Sequence, residues 1–245
     1  MALEVWSAVL IFILVTAAIE AFYISIFLFR YKTTGKRNSK KRESILFGST
    51  RQGNSSDFRM ITLPSTSQEF CNIAEIFHET MPMSQYAIVS VDKIWNRLLM
   101  EKYEQCAART QEYSGRKMEE LLFHGTRKND PSEIYGGDSG FDMRMSQVGM
   151  WGKGNYFAVN ASYSDKYAHR KGESRQILVA MVAVGTSQYL KPDSSLRQPP
   201  FRTSRQRGLK IRYDSVWGEA NGSVVYITYD NERAYPLYLI TYKYN

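Results

Sequence analysis

Phe123-His124-Gly125-Thr126, followed by Gly152-Lys153-Gly154-Asn155-Tyr156-Phe157-Ala158-Val159-Asn160-Ala161-Ser162-Tyr163-Ser164 and then Tyr167, is the stretch on which the fold and chemistry of this chain turn. Asn160 is a helix-capping residue type and predicts a helix from there to about Arg170. Ser164 and Tyr167, three apart, would then share one face, with Tyr156 just ahead of them. Two aromatic faces and a hydroxyl at one helix end can sandwich a planar heterocycle. A cationic ring would gain about 0.5–2 kcal/mol from the tyrosine faces. Gly125 has no Cβ, so its backbone N–H and C=O can approach a primary carboxamide closely, and His124 can hydrogen-bond a ribose hydroxyl beside it. Each residue alone also fits a packing role. A lone histidine is more often a surface or satisfied core residue, and tyrosines ahead of a helix often pack. The residues by themselves leave both readings open.

Outward from this stretch, helical signals come first and strand signals dominate later. Ser65 with Gln68 has the spacing of a capping box after Pro64, with Phe70, Ile73 and Phe77 at helical intervals. Tyr86 to Val91 reads as a strand. Trp95, Leu99, Tyr103 and Ala107 recur every four residues and predict a helix from Ile94 to about Glu112. Asp130-Pro131-Ser132-Glu133 is a helix start with proline at the first position. Gln176–Val184, Ser223–Tyr229 and Leu237–Tyr242 are rich in Val, Ile and Tyr and predict strands. That order gives an α+β fold with a largely antiparallel sheet rather than a doubly wound parallel one.

The chain has 245 residues and a formal charge of +8. Seven Lys or Arg and no acid fall within residues 30–42, so the remainder is only mildly basic and nucleic acid is not an expected partner. Val5 to Phe29 carries a single charge, Glu20, and a bilayer needs roughly 20 apolar residues. It is too long for a typical signal-peptide core and no basic residue precedes it. Residues 1–29 are therefore expected to be a retained transmembrane signal-anchor helix. The basic run after it puts the C-terminal domain in the cytosol by the positive-inside rule. Residues 30–56 read as a basic juxtamembrane linker, and 57–245 as the globular domain. The two cysteines, Cys71 and Cys106, sit in no CxxC or Cys/His cluster, so no metal site is expected. Isolated thiols fit a reducing compartment, with one bridge left open.

Further motifs fix a resemblance. Leu122-Phe123-His124-Gly125-Thr126, Gly140-Phe141-Asp142, Gly152-Lys153-Gly154 with Tyr156-Phe157-Ala158, and Ala161-Ser162-Tyr163-Ser164 occur in order, followed by Tyr213-Asp214-Ser215-Val216 and by Ala234-Tyr235-Pro236 with Leu239-Ile240-Thr241-Tyr242. Over residues 57–245 the chain resembles the catalytic domain of the poly(ADP-ribose) polymerase (PARP) family, and the mono-ADP-ribosylating members in particular. The resemblance implies split, largely antiparallel sheets with flanking helices, and NAD as co-substrate. It implies that His124 binds the 2′-hydroxyl of the nicotinamide ribose and that Gly125 clamps the carboxamide. Ser164 would bond the same amide, Tyr167 would stack on the nicotinamide ring, and Tyr156 would pack on its other side. Thr126, with Asp142 or Arg144, would lie toward the adenosine and phosphate end.

One departure matters. Polymerising members carry a glutamate as the third member of a His-Tyr-Glu set, and counting back from Ala234-Tyr235-Pro236 places Val225 there. Valine cannot accept a proton or orient an acceptor hydroxyl, and elongation must activate a ribose hydroxyl. A one-residue slip would substitute Val224 or Tyr226, neither a carboxylate. The expected activity is transfer of one ADP-ribose to a protein acceptor. The alternative is a silent module that binds NAD or ADP-ribose on a membrane-anchored scaffold. Gly137-Asp138-Ser139-Gly140 has the form of a chymotrypsin-like nucleophile motif but lacks a suitably placed triad. Gly152-Lys153 lacks the Ser or Thr of a phosphate loop. The basic loop around Arg202, Arg205, Arg207 and Lys210 reads as exposed.

Overall fold

The structure, a computed structural model, describes residues 57–114, 118–202 and 210–245. The expected anchor helix, the linker, Arg205 and Arg207 lie outside the described residues, and among those residues no helix is long and apolar enough to cross a membrane.

Among the described residues twelve strands and four α-helices follow one another. They are β1 (Phe58–Thr62), α1 (Gln68–His78), β2 (Tyr86–Asn96), α2 (Arg97–Ser114), β3 (Glu120–His124), α3 (Ser132–Tyr135), β4 (Val148–Gly149), β5 (Gly152–Lys153), β6 (Asn155–Ala158), α4 (Ala161–Asp165), β7 (His169–Lys171), β8 (Ser174–Val182), β9 (Ser187–Tyr189), β10 (Ser215–Ala220), β11 (Ser223–Thr228) and β12 (Ala234–Tyr244). Short 3-10 turns span Met143–Met145 and Asn231–Arg233. The main sheet runs β1-β2-β12-β8-β3-β6-β11-β10-β9, with β7 on β8. Its pairs are antiparallel except β9 with β10. The α+β expectation therefore holds.

The strands expected to form split sheets belong instead to one continuous sheet, narrowed at a seam. β3 meets β6 at one register pair, Phe123 with Ala158, whereas β3 pairs with β8 over five residues and β6 with β11 over four. Two apolar cores follow from alternation along β6 and β11. Phe157 joins Leu122, Phe141, Leu178 and Leu239, with Tyr226 packed against them. Ala158, Val225 and Ile227 join Trp151, Tyr163 and Val216, with Tyr156, Tyr167 and Tyr229 against that cluster. β8 and most of β12 are buried residue after residue, so their sequences run apolar without alternating.

Several boundaries differ from the sequence expectation. Trp95 belongs to β2, opposite Arg59 of β1, and the helix begins at Arg97. Its signal is Asn96, whose Oδ1 accepts from Leu99 N–H at 3.2 Å, an N-cap bond. α1 is capped by Ser67, not Ser65, through Phe70 N–H. α3 is one turn long, with Pro131 one position ahead of it and Asp130 Oδ1 accepting from Ser132 N–H. α4 ends at Asp165 instead of near Arg170, and Asn160 gives it no side-chain cap, its amide donating to Gly222 O instead. Cys71 and Cys106 are both free.

Candidate active site at the sheet seam

His124 is the last residue of β3, where the two half-sheets diverge. Its Nδ1 lies 2.8 Å from the carbonyl of Tyr156 on β6. A carbonyl can only accept, so Nδ1 carries the proton and, in the neutral ring, Nε2 is left with a lone pair. Burial pushes the imidazole below its ordinary value of 6.5, offset in part by the Tyr156 bond, so the ring is neutral at physiological pH. Edge contacts to Phe141 (5.1 Å) and a tilted one to Phe157 (5.4 Å) fix its plane. The imidazole thus adds a side-chain link beside the one backbone register pair of the seam.

Gly125 follows directly. A Cβ there would fall 2.4 Å from Tyr167 O and 2.6 Å from Ser164 O, far inside van der Waals contact. The bare backbone is required because the end of α4 lies on it, and this packing brings Ser164 and Tyr167 to the exit of β3. Ser164 is 2% exposed. Tyr167 lies beyond α4, yet Tyr167 N–H donates to Ser164 O at 2.9 Å, so a 3-10-type turn keeps the three-residue spacing that a longer helix was expected to supply. Tyr163 flanks the Tyr167 ring at 5.5 Å, tilted 52°.

Tyr156 projects from β6 into the core shared with Tyr167. Its hydroxyl accepts from Trp151 N–H and donates to Gly152 O, both at 2.8 Å. Burial pushes the phenol up to about 12, so it stays protonated. Tyr229 donates to Trp151 O at 2.6 Å, and the Trp151 indole donates to Leu190 O at 2.9 Å. The indole lies on Gly218, where a Cβ would come within 2.0 Å of it. Trp151 is thereby clamped from both its backbone and its ring, and the clamp sets the Tyr156 hydroxyl.

Val225 sits on β11 opposite Gly218 and Ala158, fully buried in the same core as Tyr156 and Tyr167. Neither nearby carboxylate takes its place. Asp230 accepts from Glu232 N–H as a turn cap. Glu219 is exposed and pairs with Val224, one residue off the Val225 register.

Thr126 donates to Asn129 O at 2.7 Å within the turn after β3. Asp142 and Arg144 form a local pair at 2.6 Å. Bonds from Arg144 hold the Asp142 carboxyl well down, at about 2. The structure brings His124, Gly125, Ser164, Tyr167 and Tyr156 together, while Thr126 and Arg144 bond within their own turns and Asp142 bonds Arg144 and, across the chain, the Asn231 amide at 3.5 Å. Among the described residues no group of three or more His, Cys, Asp or Glu could hold a metal ion.

The family model of the poly(ADP-ribose) polymerase catalytic domain matches residues 67–221, more than half of the chain. The chain belongs to the poly(ADP-ribose) polymerase catalytic-domain family. It is 33% identical over 191 residues to a probable poly(ADP-ribose) polymerase of Dictyostelium discoideum, covering 75% of this chain and 52% of that protein. It is 31% identical over 189 residues to the protein mono-ADP-ribosyltransferase PARP12 of Mus musculus, covering 76% and 25%. Against PARP10 of the same species the figures are 30% over 193 residues, 76% and 19%. The chain thus spans between about a fifth and a half of these relatives.

Within this PARP-family domain, several site neighbours escaped the sequence reading. Trp151, Gly218 and Tyr229 act on Tyr156 through the clamp. Asp165 accepts from Arg175 (2.8 Å) and Tyr242 (2.6 Å), tying the end of α4 to β8 and β12. Arg127 has φ 57, a left-handed backbone that costs an arginine about 1 kcal/mol. Its N–H donates to Tyr167 O at 2.7 Å and its guanidinium lies 4.4 Å from the Tyr167 ring centroid. Nothing in the composition of the turn announces an arginine there, because glycine, asparagine and aspartate are the usual left-handed residues. The Tyr213-Asp214-Ser215-Val216 motif has a structural account. Asp214 pairs with Arg233 at 2.9 Å and accepts from Thr186 N–H, and Ser215 donates to Val184 O.

Proposed function

We propose that the chain is an NAD-dependent mono-ADP-ribosyltransferase, moving one ADP-ribose unit from NAD to a protein acceptor with release of nicotinamide. The observation that carries the restriction to one unit is the fully buried Val225, on the core face it shares with Tyr156 and Tyr167. Two of the relatives named above are mono-ADP-ribosyltransferases by name, which supports the same conclusion. Alternation along β11 turns Val224 and Tyr226 to the other face, so no shift of register supplies a base for elongation.

NAD supplies a ribosyl group on a cationic leaving group that departs neutral, so the protein need not furnish a general acid. The residues present fit that task. His124 presents Nε2 as an acceptor for a ribose hydroxyl. The Gly125 backbone and the Ser164 hydroxyl are placed to hold a carboxamide, and the Tyr167 ring offers a stacking surface. Tyr156, its hydroxyl engaged by the Trp151–Gly152 backbone, contributes its ring and fixes the loop ahead of it. Rigid placement of this kind accounts for rate by orientation. We place the domain on the cytosolic side of a membrane, held by the apolar segment 5–29 with the basic run after it, and a protease-protection experiment on sealed vesicles tests this.

The decisive experiment is incubation with labelled NAD, followed by gel separation and intact-mass analysis. Mass gains of one ADP-ribose per modified site are expected, and polymer ladders would overturn the proposal. Binding of NAD without nicotinamide release would make the chain a silent module instead.

A further inference from the structure

We infer that Arg127 sets the charge preference of Tyr167: its guanidinium, laid on one face of the ring, disposes the other face toward neutral rather than cationic aromatic ligands. This rests on the function proposed above, in which Tyr167 stacks on nicotinamide.

The placement of Arg127 is built rather than incidental. Arg127 and Asn221 are the non-glycine residues at positive φ among those described. The Arg127 amide is bonded to Tyr167 O, and its carbonyl faces His169 Nδ1 at 3.3 Å. Backbone and side chain therefore grip the same tyrosine, while Tyr163 holds the ring from its side. At 4.4 Å from the centroid, the guanidinium lies within the range at which a cation is drawn to an aromatic face. A second cation on the opposite face meets a ring already polarised away from it, and meets the guanidinium charge through the ring. A neutral ring meets neither.

The consequence bears on bond breaking. When the C1′–N1 bond of NAD breaks, its electron pair passes to the ring nitrogen and the pyridinium becomes neutral nicotinamide. The acceptor's lone pair forms the new bond at C1′, where the positive charge has developed. Positive charge thus leaves the neighbourhood of Tyr167 as the reaction proceeds. An interaction that disfavours the charged ring and spares the neutral one lowers the barrier rather than tightening substrate binding. Arg127 is in this sense a positioning residue that acts through Tyr167.

The test uses the full chain and two planar carboxamides of similar shape, neutral benzamide and cationic N1-methylnicotinamide. Their affinities are compared in the unchanged protein, in Arg127→Gln and in Arg127→Gly, which the left-handed backbone accommodates. The unchanged protein should prefer benzamide, and both variants should reduce that preference by about threefold or more. In nicotinamide release from NAD, kcat should fall in both variants while KM does not rise. An unchanged ratio of the two affinities in both variants, with both ligands bound, overturns the role of Arg127 alone. Failure of the unchanged protein to bind either compound overturns the nicotinamide site itself, and the role of Arg127 with it.

Discussion

At the scale of single residues, His124 carries two duties at once. Its Nδ1–H links the half-sheets through Tyr156 O, and in the function proposed above its Nε2 is the acceptor for a ribose hydroxyl. His124→Ala is expected to lower nicotinamide release by roughly a hundredfold, the penalty of lost positioning, and to lower stability by about 1 kcal/mol for the lost hydrogen bond. Paired turnover and urea-unfolding measurements check both numbers. Gly125→Ala forces a Cβ against the Tyr167 and Ser164 carbonyls. It should cost roughly 1–3 kcal/mol by overpacking and reduce benzamide affinity, as seen by thermal shift and titration. That His124, Gly125, Ser164, Tyr156 and Tyr167 come together was expected from the family motifs. The reason for Gly125 was not legible, since the carbonyls that exclude a side chain lie about forty residues further along the chain. Arg127 was invisible for a related reason: sequence gives no sign that an arginine takes a left-handed backbone to reach a ring that far downstream.

At the scale of elements, local period and tertiary position compete. Trp95, Leu99, Tyr103 and Ala107 fit a helical repeat, yet Trp95 is the penultimate residue of an eleven-residue strand. Pairing with β1 and β12 outweighs the periodicity, and the Asn96 cap marks the true start. β3 is five residues long and ends against Gly125, and β6 is four long and starts after Gly154, so propensity alone did not reveal them, although they frame the site. The Trp151 clamp gives an element-scale prediction. Tyr229→Phe removes the donor to Trp151 O, with an expected loss of about 1 kcal/mol in stability. Because Trp151 N–H and Gly152 O hold the Tyr156 hydroxyl, KM for NAD should rise as well. Steady-state kinetics with a chemical-denaturation curve test the pair, and an unchanged KM would separate the clamp from the site.

At the scale of the whole molecule, the acid side of the stability profile follows from His124 and from carboxyls held down by their neighbours, Asp142 foremost, with Asp130 and Asp193 shifted in the same direction. His124 has a lowered pKa in the folded state, so between that value and 6.5 the unfolded chain binds more protons. Its contribution is present in full above 6.5 and lost as pH falls through the folded value. Asp142, held at about 2 against an ordinary 3.8, contributes above 3.8 and loses this as pH falls toward 2. Melting temperature should therefore decline in two stages on acidification. The upper stage should be absent from His124→Ala, as calorimetry across pH would record. Fold class was readable from the order of helical and strand signals together with the motifs. The continuity of the sheet was not, because one register pair between β3 and β6 leaves no pattern in either strand.

That slender join has a practical corollary. A compound that grips the imidazole, whose Nδ1–H already reaches β6 through Tyr156 O, steadies the join between the two half-sheets. Occupancy should then slow amide exchange around Phe123 and Ala158 more than in the outer strands, so that a mass spectrometer could register binding without any turnover.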